Sequence, residues 1–371
     1  MEAKICIRGG TSMLHDHDRP RMVVHQLALP HYRQALLDIL AEANDQGVLF
    51  EIGDSQFYEG VTAEVSGENV VDTGRNIFIF KRRLAIQRVN LRRAFSSKTT
   101  VIELNPRILN AWLVLVVRRV MRQRTLSWGH VFPRAGRSSR TEMLRRRMRS
   151  LTSGMIVYTE SEAIDFKSLH PGKEVYVASN AIYRESEMVP KPATLGTDFI
   201  VIGRLVDGKK PLLALDAFRL AASSMPDARL VFIGKGPLEK SLEEAIDRNR
   251  LRDRVELLGH VTEWSVLRDR FHRAVAMLGP GYIGLNATQS LGFGIPVVFA
   301  KDEPHAPEIE ALNQTNSATF SKDDAEGLAR TMVDFWKARA DWARRSQMMS
   351  DAVRARYSAE AMAAAFVAAA S

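Results

Sequence analysis

Cysteine is almost absent from this chain: Cys6 is the only one among 371 residues. A single thiol excludes an internal disulfide and any cysteine-based metal cluster, and it sets the expectation of a reducing, cytoplasmic setting. Long apolar runs are missing too. The longest, Ala111–Val117, falls far below the roughly 18–20 residues of a membrane span, and it lies too far along for a signal-peptide core. There is no P-loop lysine motif, no GxSxG and no GxGxxG; Gly234-Lys235-Gly236 runs into Pro237 instead. No short internal repeat is visible. Acidic residues are scarce in one region: from Arg75 to Arg149 there are 20 Lys/Arg against Glu103 and Glu142. The formal net charge is +9, of which residues 1–190 hold +8. Such an asymmetry points to an anionic partner for the first half, whether membrane surface, nucleic acid or acidic substrate, unless it is only a solvated basic face. No aromatic-interleaved basic stripe is present, so nucleic acid is not expected as a partner.

What is present is ordinary globular composition, 46% apolar and 26% charged, over a length that suits two domains. The most regular stretch runs from Phe199 to Glu308. DFIVIGRLVDGKKPLLALDAF reads as a buried strand, a turn bearing Arg204 and Lys209, and a helix. ARLVFIGKGPLEKSLEEAI repeats that pattern, with Gly234 and Gly236 at the turn and Pro237 at a first helical position. VAMLGPGYIGLNATQSLGFGIPVVFA gives strand, glycine-rich turn, helix and strand. Short apolar strands alternating with helices imply a parallel α/β sheet, which binds ligands at the carboxyl ends of its strands.

The first half reads as a less regular α/β domain. Strands are expected over Met22–Leu29, Val48–Ile52, Ile77–Lys81, Thr100–Leu104, Thr125–His130, Met155–Thr159 and Val175–Ala178. Helices are expected over His31–Asn44, Ile108–Gln123 and Ser139–Thr152. Residues 1–20 read as an extension; their Asp16-His17-Asp18 triplet matches a metal-binding DxD, a motif common by chance. The proline-rich stretch Met188–Thr197 suggests the boundary: a domain over 1–190, a second over 191–350, and a C-terminal helical segment 351–371 that crosses back onto the first.

At the turns, Arg204 and Lys209 beside Gly203 suit a diphosphate, since Arg forks two oxygens and Lys adds a point charge; an ordinary basic turn is the alternative. Gly284 lets backbone approach a ligand, and Leu285, Asn286 and Ala287 open a helix whose N–H groups form an anion site, unless the glycine serves packing alone. The amide of Gln289 suits two ribose hydroxyls. His31, Tyr32 and Arg33 follow the first strand, where they contact a substrate or cap the helix. Glu308, after the strand Val297–Ala300, is either a site carboxylate or a helix-start acid.

GRLVDGKKPLLALDAF, LVFIGKGPLEKSLEE, VELLGHVTEWSVL and GYIGLNATQSLGFGIPVV, in this order, resemble the retaining nucleotide-sugar glycosyltransferases of group 1 (family 4) across 198–330. Upstream, VYVASNAI and TLSWGHVF resemble a junction strand and a strand delivering a histidine, with Asn180 and His130 at the matching positions and Ala181 where glycine is usual. The resemblance implies an α/β GT-B fold: two Rossmann-like domains facing each other across a cleft, with the C-terminal helix crossing back to the first. It implies that Arg204 and Lys209 neutralise the donor diphosphate and that the backbone of Gly284 and Leu285 binds the same phosphates. Gly203, Gly234, Asn286 and Gln289 would line the donor site, Val261 would lie where backbone reads the base, and His130 would contact the donor sugar. His31, Tyr32 and Arg33 would be acceptor-side candidates. It implies a nucleotide-diphosphate sugar as donor substrate, no metal and no cofactor, and a glycolipid or polysaccharide-precursor acceptor. The chain would sit peripherally on the inner face of the cytoplasmic membrane through the basic 75–149 region, with Arg137, Arg140, Arg145, Arg146, Arg147 and Arg149 meeting headgroups. One departure stands out. The family usually carries two glutamates, at the positions of Gly281 and Gln289. Their loss leaves open a catalytically idle module that binds nucleotide sugar or scaffolds an assembly, or a replacement carboxylate from Glu308.

Overall fold

The computed structural model describes residues 20–43, 47–53, 65–133 and 136–371. The Asp16–Asp18 triplet lies outside them. The described chain forms two compact units, Met1–Ala178 with Ala363–Ser371, and Ser179–Met362. The proline-rich stretch belongs to the second unit, because Met188 is buried in its core and Lys191 donates from Nζ to Ala274 O (2.8 Å).

The first unit holds β1 (Met22–Gln26), α1 (Gln34–Glu42), β2 (Val48–Ile52), β3 (Val70–Asp72), β4 (Ile77–Ile79), β5 (Leu84–Ile86) and α2 (Leu91–Ser96). It continues with β6 (Thr99–Glu103), α3 (Leu109–Val120), β7 (Arg124–Trp128), α4 (Glu142–Leu151), β8 (Gly154–Val157), α5 (Glu160–Leu169) and β9 (Glu174–Val177). Seven of its strands form one sheet in the order β3-β2-β1-β6-β7-β8-β9, parallel throughout. Buried on both faces, these strands carry near-continuous apolar runs such as MVV and GMIV. The segment expected as a strand over Ile77–Lys81 is different. Phe80, Lys81 and Arg82 take left-handed backbone (φ 49°, 53° and 66°), reversing the chain into an antiparallel β4–β5 hairpin outside the main sheet. Sequence periodicity passed over β3, α2 and α5, short elements whose apolar residues are few. The second and third are marked by caps: Asn90 accepts from Arg93 N (3.2 Å) and Thr159 from Glu162 N (3.1 Å).

The second unit holds β10 (Asp198–Ile202), α6 (Pro211–Ala221), β11 (Arg229–Ile233), α7 (Glu239–Arg248), β12 (Val255–Leu257), α8 (Trp264–His272) and β13 (Ala274–Gly279). Then come α9 (Leu285–Gly292), β14 (Val297–Ala300), β15 (Ser317–Phe320), α10 (Ala325–Lys337), α11 (Arg339–Arg344) and α12 (Ser346–Tyr357). Its six parallel strands run β12-β11-β10-β13-β14-β15, the Rossmann order in which the direction of winding reverses between β10 and β13. Phe199, Val201, Phe232 and Leu278 form one core with Leu215 and Phe218 of α6 and Met332 and Phe335 of α10. Pro211, not Pro237, opens a helix: Pro237 sits in a turn two residues before α7. The last helix, α13 (Ala359–Ala370), begins in the second unit, and its residues from Ala363 onward belong to the first, where Phe366 packs on Phe50 and Trp128. Among the described residues no helix is long and apolar enough to cross a membrane.

Candidate functional site

Reversal of winding between β10 and β13 opens a crevice at their carboxyl ends. A cavity of about 270 Å³, including space open to solvent, lies there, lined by Gly203, Arg204, Lys209, Gly279, Tyr282 and Asn286 among others. The backbone packs tightly around it. Gly234 has φ +145°, and a Cβ on it would strike the carbonyl of Gly203, so the β10 and β11 turns touch only because both ends are glycine. Asn286 ties α9 to the sheet, donating from Nδ2 to Ile202 O (3.2 Å) and accepting the Gly284 N–H (2.9 Å). That bond spends the Gly284 donor the sequence assigned to phosphate. Leu285, at the first helical position, keeps an N–H with no intrahelical acceptor.

Two cations reach this crevice. Arg204 is exposed. Lys209 is half-buried with Nζ 5.0 Å from the Tyr282 ring centre. Burial pushes its ammonium down to about 8, and the Glu308 carboxylate opposes the shift. Lys209 is therefore not the permanent cation its type suggests: it loses its proton in mildly alkaline solution unless an anion arrives. Glu308 is buried and accepts from Asn180 Nδ2 (2.6 Å); its carboxylate lies 3.6 Å from where a Cβ of Gly284 would stand. His305 accepts the Ile283 N–H at Nδ1 (3.2 Å) and faces Ala300 O with Nε2 (2.7 Å), partners that fix the neutral Nε2–H tautomer; burial lowers its pKa.

Other candidates have structural commitments. The Gln289 amide donates to the Tyr183 hydroxyl (2.7 Å), so the nitrogen offered to ribose is engaged. The Val261 side chain packs against the Tyr183–Phe293 core, leaving its backbone for recognition. Gly281 is crowded: a Cβ there would meet the carbonyl of Gly208 and come within 2.9 Å of the Lys209 carbonyl carbon. The Tyr282 N–H donates to that same Gly208 carbonyl (2.8 Å). The loop carrying Lys209 thus occupies the volume in which the family's first glutamate would project.

In the first unit a second cluster gathers at strand ends. His130 lies two residues beyond β7, after Gly129 in positive φ, and not within the strand. Its Nδ1 is 3.0 Å from Glu162 Oε1, and its ring lies 4.7 Å from that of Tyr158. Glu162 also accepts the backbone N–H groups of Val131 (3.2 Å) and Tyr158 (3.1 Å). With Glu162 accepting from Nδ1–H, Nε2 of His130 is left as the outward atom. Arg33 is buried over Trp128 (5.5 Å), Tyr158 (5.9 Å) and Tyr32 (5.2 Å). His31, Tyr32 and Arg33 thus join the His130 cluster through Tyr158, though His31 itself is exposed. No side chain caps the turn they form. Glu162 was the residue sequence reasoning missed; the Thr159-x-x-Glu162 spacing of a capping box was its one signal.

The basic region is less available than its count suggests. Arg149 is buried against Glu142 and donates to Val131 O (2.5 Å); Arg145 donates to Leu104 O (2.9 Å) and to His130 O; Arg137 pairs with Asp165 (2.5 Å). Of the six arginines expected to meet headgroups, Arg140, Arg146 and Arg147 remain exposed and uncommitted.

Residues 189–355 match the family model described as glycosyl transferases group 1. The gpi3 subunit of phosphatidylinositol N-acetylglucosaminyltransferase from Schizosaccharomyces pombe is 30% identical over 170 residues, 44% of this chain and 37% of that protein. The corresponding phosphatidylinositol N-acetylglucosaminyltransferase chain from Arabidopsis thaliana is 32% identical over 151 residues, 39% of this chain and 31% of that protein. The chain thus spans about a third of the length of these curated relatives. Among solved structures, Anabaena HepE in complex with UDP superposes with a TM-score of 0.66 at 13% identity, over 94% of this chain and 98% of that one. TarM superposes with 0.63 at 11% identity, over 97% and 99%. At such identities the likeness establishes the fold, which is GT-B. Through residues 189–355, the chain belongs to the group 1 glycosyl transferases.

Proposed function

We propose that the protein transfers a sugar from a nucleotide-diphosphate donor to a glycolipid or polysaccharide-precursor hydroxyl, with retention of anomeric configuration and without a metal. The observation that carries this reading is the crevice between β10 and β13, where Arg204, Lys209 and the first N–H groups of α9 converge within a family-matched segment. In the reaction, the bond between the anomeric carbon and the β-phosphate oxygen breaks and the nucleoside diphosphate leaves. The acceptor oxygen bonds to the same face of the oxocarbenium-like carbon, and its proton passes to the departing phosphate. Arg204 and Lys209 stabilise the charge that develops on the leaving group, in place of a metal ion. Glu308, fixed by Asn180, supplies the carboxylate for sugar hydroxyls that Gly281 lacks. His130 is assigned to the transferred sugar through Nε2, and His31 and Tyr32 to the acceptor. The glycolipid class of acceptor is supported by the two phosphatidylinositol N-acetylglucosaminyltransferase relatives.

The test is release of nucleoside diphosphate from a panel of UDP- and GDP-sugars in the presence of lipid extract. Turnover with a retained anomer supports the reading. Nucleotide binding with no release would identify the idle module instead. His130→Ala is expected to reduce turnover by roughly 10²-fold or more while leaving nucleotide affinity unchanged. Glu162→Gln is expected to cause a smaller loss of the same kind, measured as kcat at saturating donor.

Lys209 adds a pH signature. Its folded pKa is depressed to about 8, below the model-peptide 10.5, so the free protein holds fewer protons than the unfolded chain between those values. Stability against unfolding rises with pH across that window. Diphosphate binding favours the ammonium, so donor affinity falls as pH rises through about 8 and binding takes up a proton. Titration calorimetry in buffers of different ionisation enthalpy reads that proton directly, and Lys209→Arg should flatten the pH dependence.

A further inference from the structure

An amphipathic helix of a soluble domain turns its apolar side inward and its polar side to water. α3 does not. Ala111, Val114 and Leu115 are buried in the first unit's core, yet Leu109, Leu113, Val116 and Val120 are exposed on the opposite side, at helical spacing, with Met121 beyond them. Val120 is 78% exposed and Met121 52%. The neighbouring α4 does the same: Met148 joins the core, while Met143 (68%) and Leu144 (45%) are exposed. An apolar strip this long on two adjacent helices marks an interaction surface.

Charge selects its occupant. Arg119, Arg122, Arg140, Arg146 and Arg147 are exposed on or beside these helices, with no carboxylate partner among the described residues. The only acids between 75 and 149 are committed inward: Glu142 to Arg149, and Glu103 to the Leu27 N–H (3.1 Å). The face is therefore apolar with a purely basic rim. A second copy of the chain meeting it across a two-fold axis would bring the two arginine sets together. A nucleic acid would satisfy the arginines but leave the apolar strip wet. A bilayer containing anionic lipid satisfies both, with the strip at the acyl boundary and the guanidinium groups at headgroup phosphates.

We infer that the outer face of α3 and α4 is a docking surface for an anionic lipid bilayer, entered by Leu113, Val116 and Val120 and rimmed by Arg119, Arg122, Arg146 and Arg147. The proposal does not depend on sugar transfer, and nucleotide binding by the same variants separates the two. The experiment is flotation of the full chain with vesicles of phosphatidylcholine alone or mixed with phosphatidylglycerol. Binding is expected only to the mixed vesicles. Replacing Arg119, Arg146 and Arg147 with glutamine should weaken it by about 10²-fold, from roughly fivefold per cation. A triple variant Leu113→Ser, Val116→Ser, Val120→Ser should weaken it at least about tenfold at unchanged charge. These side chains are exposed, so melting temperature and nucleotide affinity should hold for both variants. The proposal is overturned if the serine variant binds as well as wild type, if neutral vesicles bind equally, or if duplex DNA competes the vesicles away. It is equally overturned if no vesicle binds and the serine variant instead dissociates a dimer on a sizing column.

Discussion

Arg204→Ala is expected to lower sugar transfer by roughly 10²- to 10³-fold, the loss seen when one preorganised donor to a developing anion is removed. The side chain is exposed at the mouth of the crevice, so melting temperature should not change. Lys209→Ala should cost transfer by a similar factor, but its stability signature differs. The ammonium is held in a site that already depresses its pKa to about 8, so removing it relieves desolvation, and the variant should melt at the same temperature or slightly higher. A lysine that bound only its own fold would destabilise on removal. Loss of transfer with stability kept is the pattern of a group placed for a ligand. If either variant transferred sugar at the wild-type rate, the phosphate assignment would fail.

Gly281→Glu is the second large effect, and its expected direction is counterintuitive. It restores the residue type that the resembling family carries at this position, yet it should lower both stability and donor binding. The new Cβ alone meets the Gly208 carbonyl and the Lys209 backbone. Backbone cannot swing aside as a flexible side chain can, so the cost should be roughly 1–3 kcal/mol, read as a fall of several degrees in melting temperature. Displacing the 207–209 turn would also carry Lys209 away from the crevice. In this chain the carboxylate comes instead from Glu308, buried and fixed by Asn180. A Gly281→Glu protein that melted normally and transferred faster would show that the vacant carboxylate position, and not Glu308, governs sugar recognition.

Much of the second unit was legible because a parallel strand buried on both faces writes itself as an unbroken apolar run. DFIVI, RLVFI and AVAMLG each became a strand at the expected place, and Gly284 opened α9 as its spacing implied. The first unit was harder for equally physical reasons. Its hairpin depends on three consecutive left-handed residues, Phe80, Lys81 and Arg82, none of which is glycine. No propensity announces that. The commitments of site side chains were likewise invisible. Nothing local to Gln289 says that Tyr183, 106 residues away, engages its amide. Nothing local to Arg145 or Arg149 says that a run of like charges folds inward onto carbonyls and Glu142. Charge counting overstated the basic face for that reason. It also missed that the apolar strip of α3 is divided between core and solvent, because Trp112 and Leu113–Val117 read as one core segment.

The central claim is that a diphosphate is gripped at the carboxyl ends of β10 and β13 by Arg204, Lys209 and the start of α9. Titration calorimetry of UDP, GDP and ADP, each beside its nucleoside, tests it most directly. At least one nucleoside diphosphate should bind more than about tenfold tighter than its nucleoside, as expected for charge-assisted bonds to phosphate, and Arg204→Ala should erase that difference. Equal affinity for nucleoside and diphosphate, or a tenfold preference that survives Arg204→Ala and Lys209→Ala together, would contradict it.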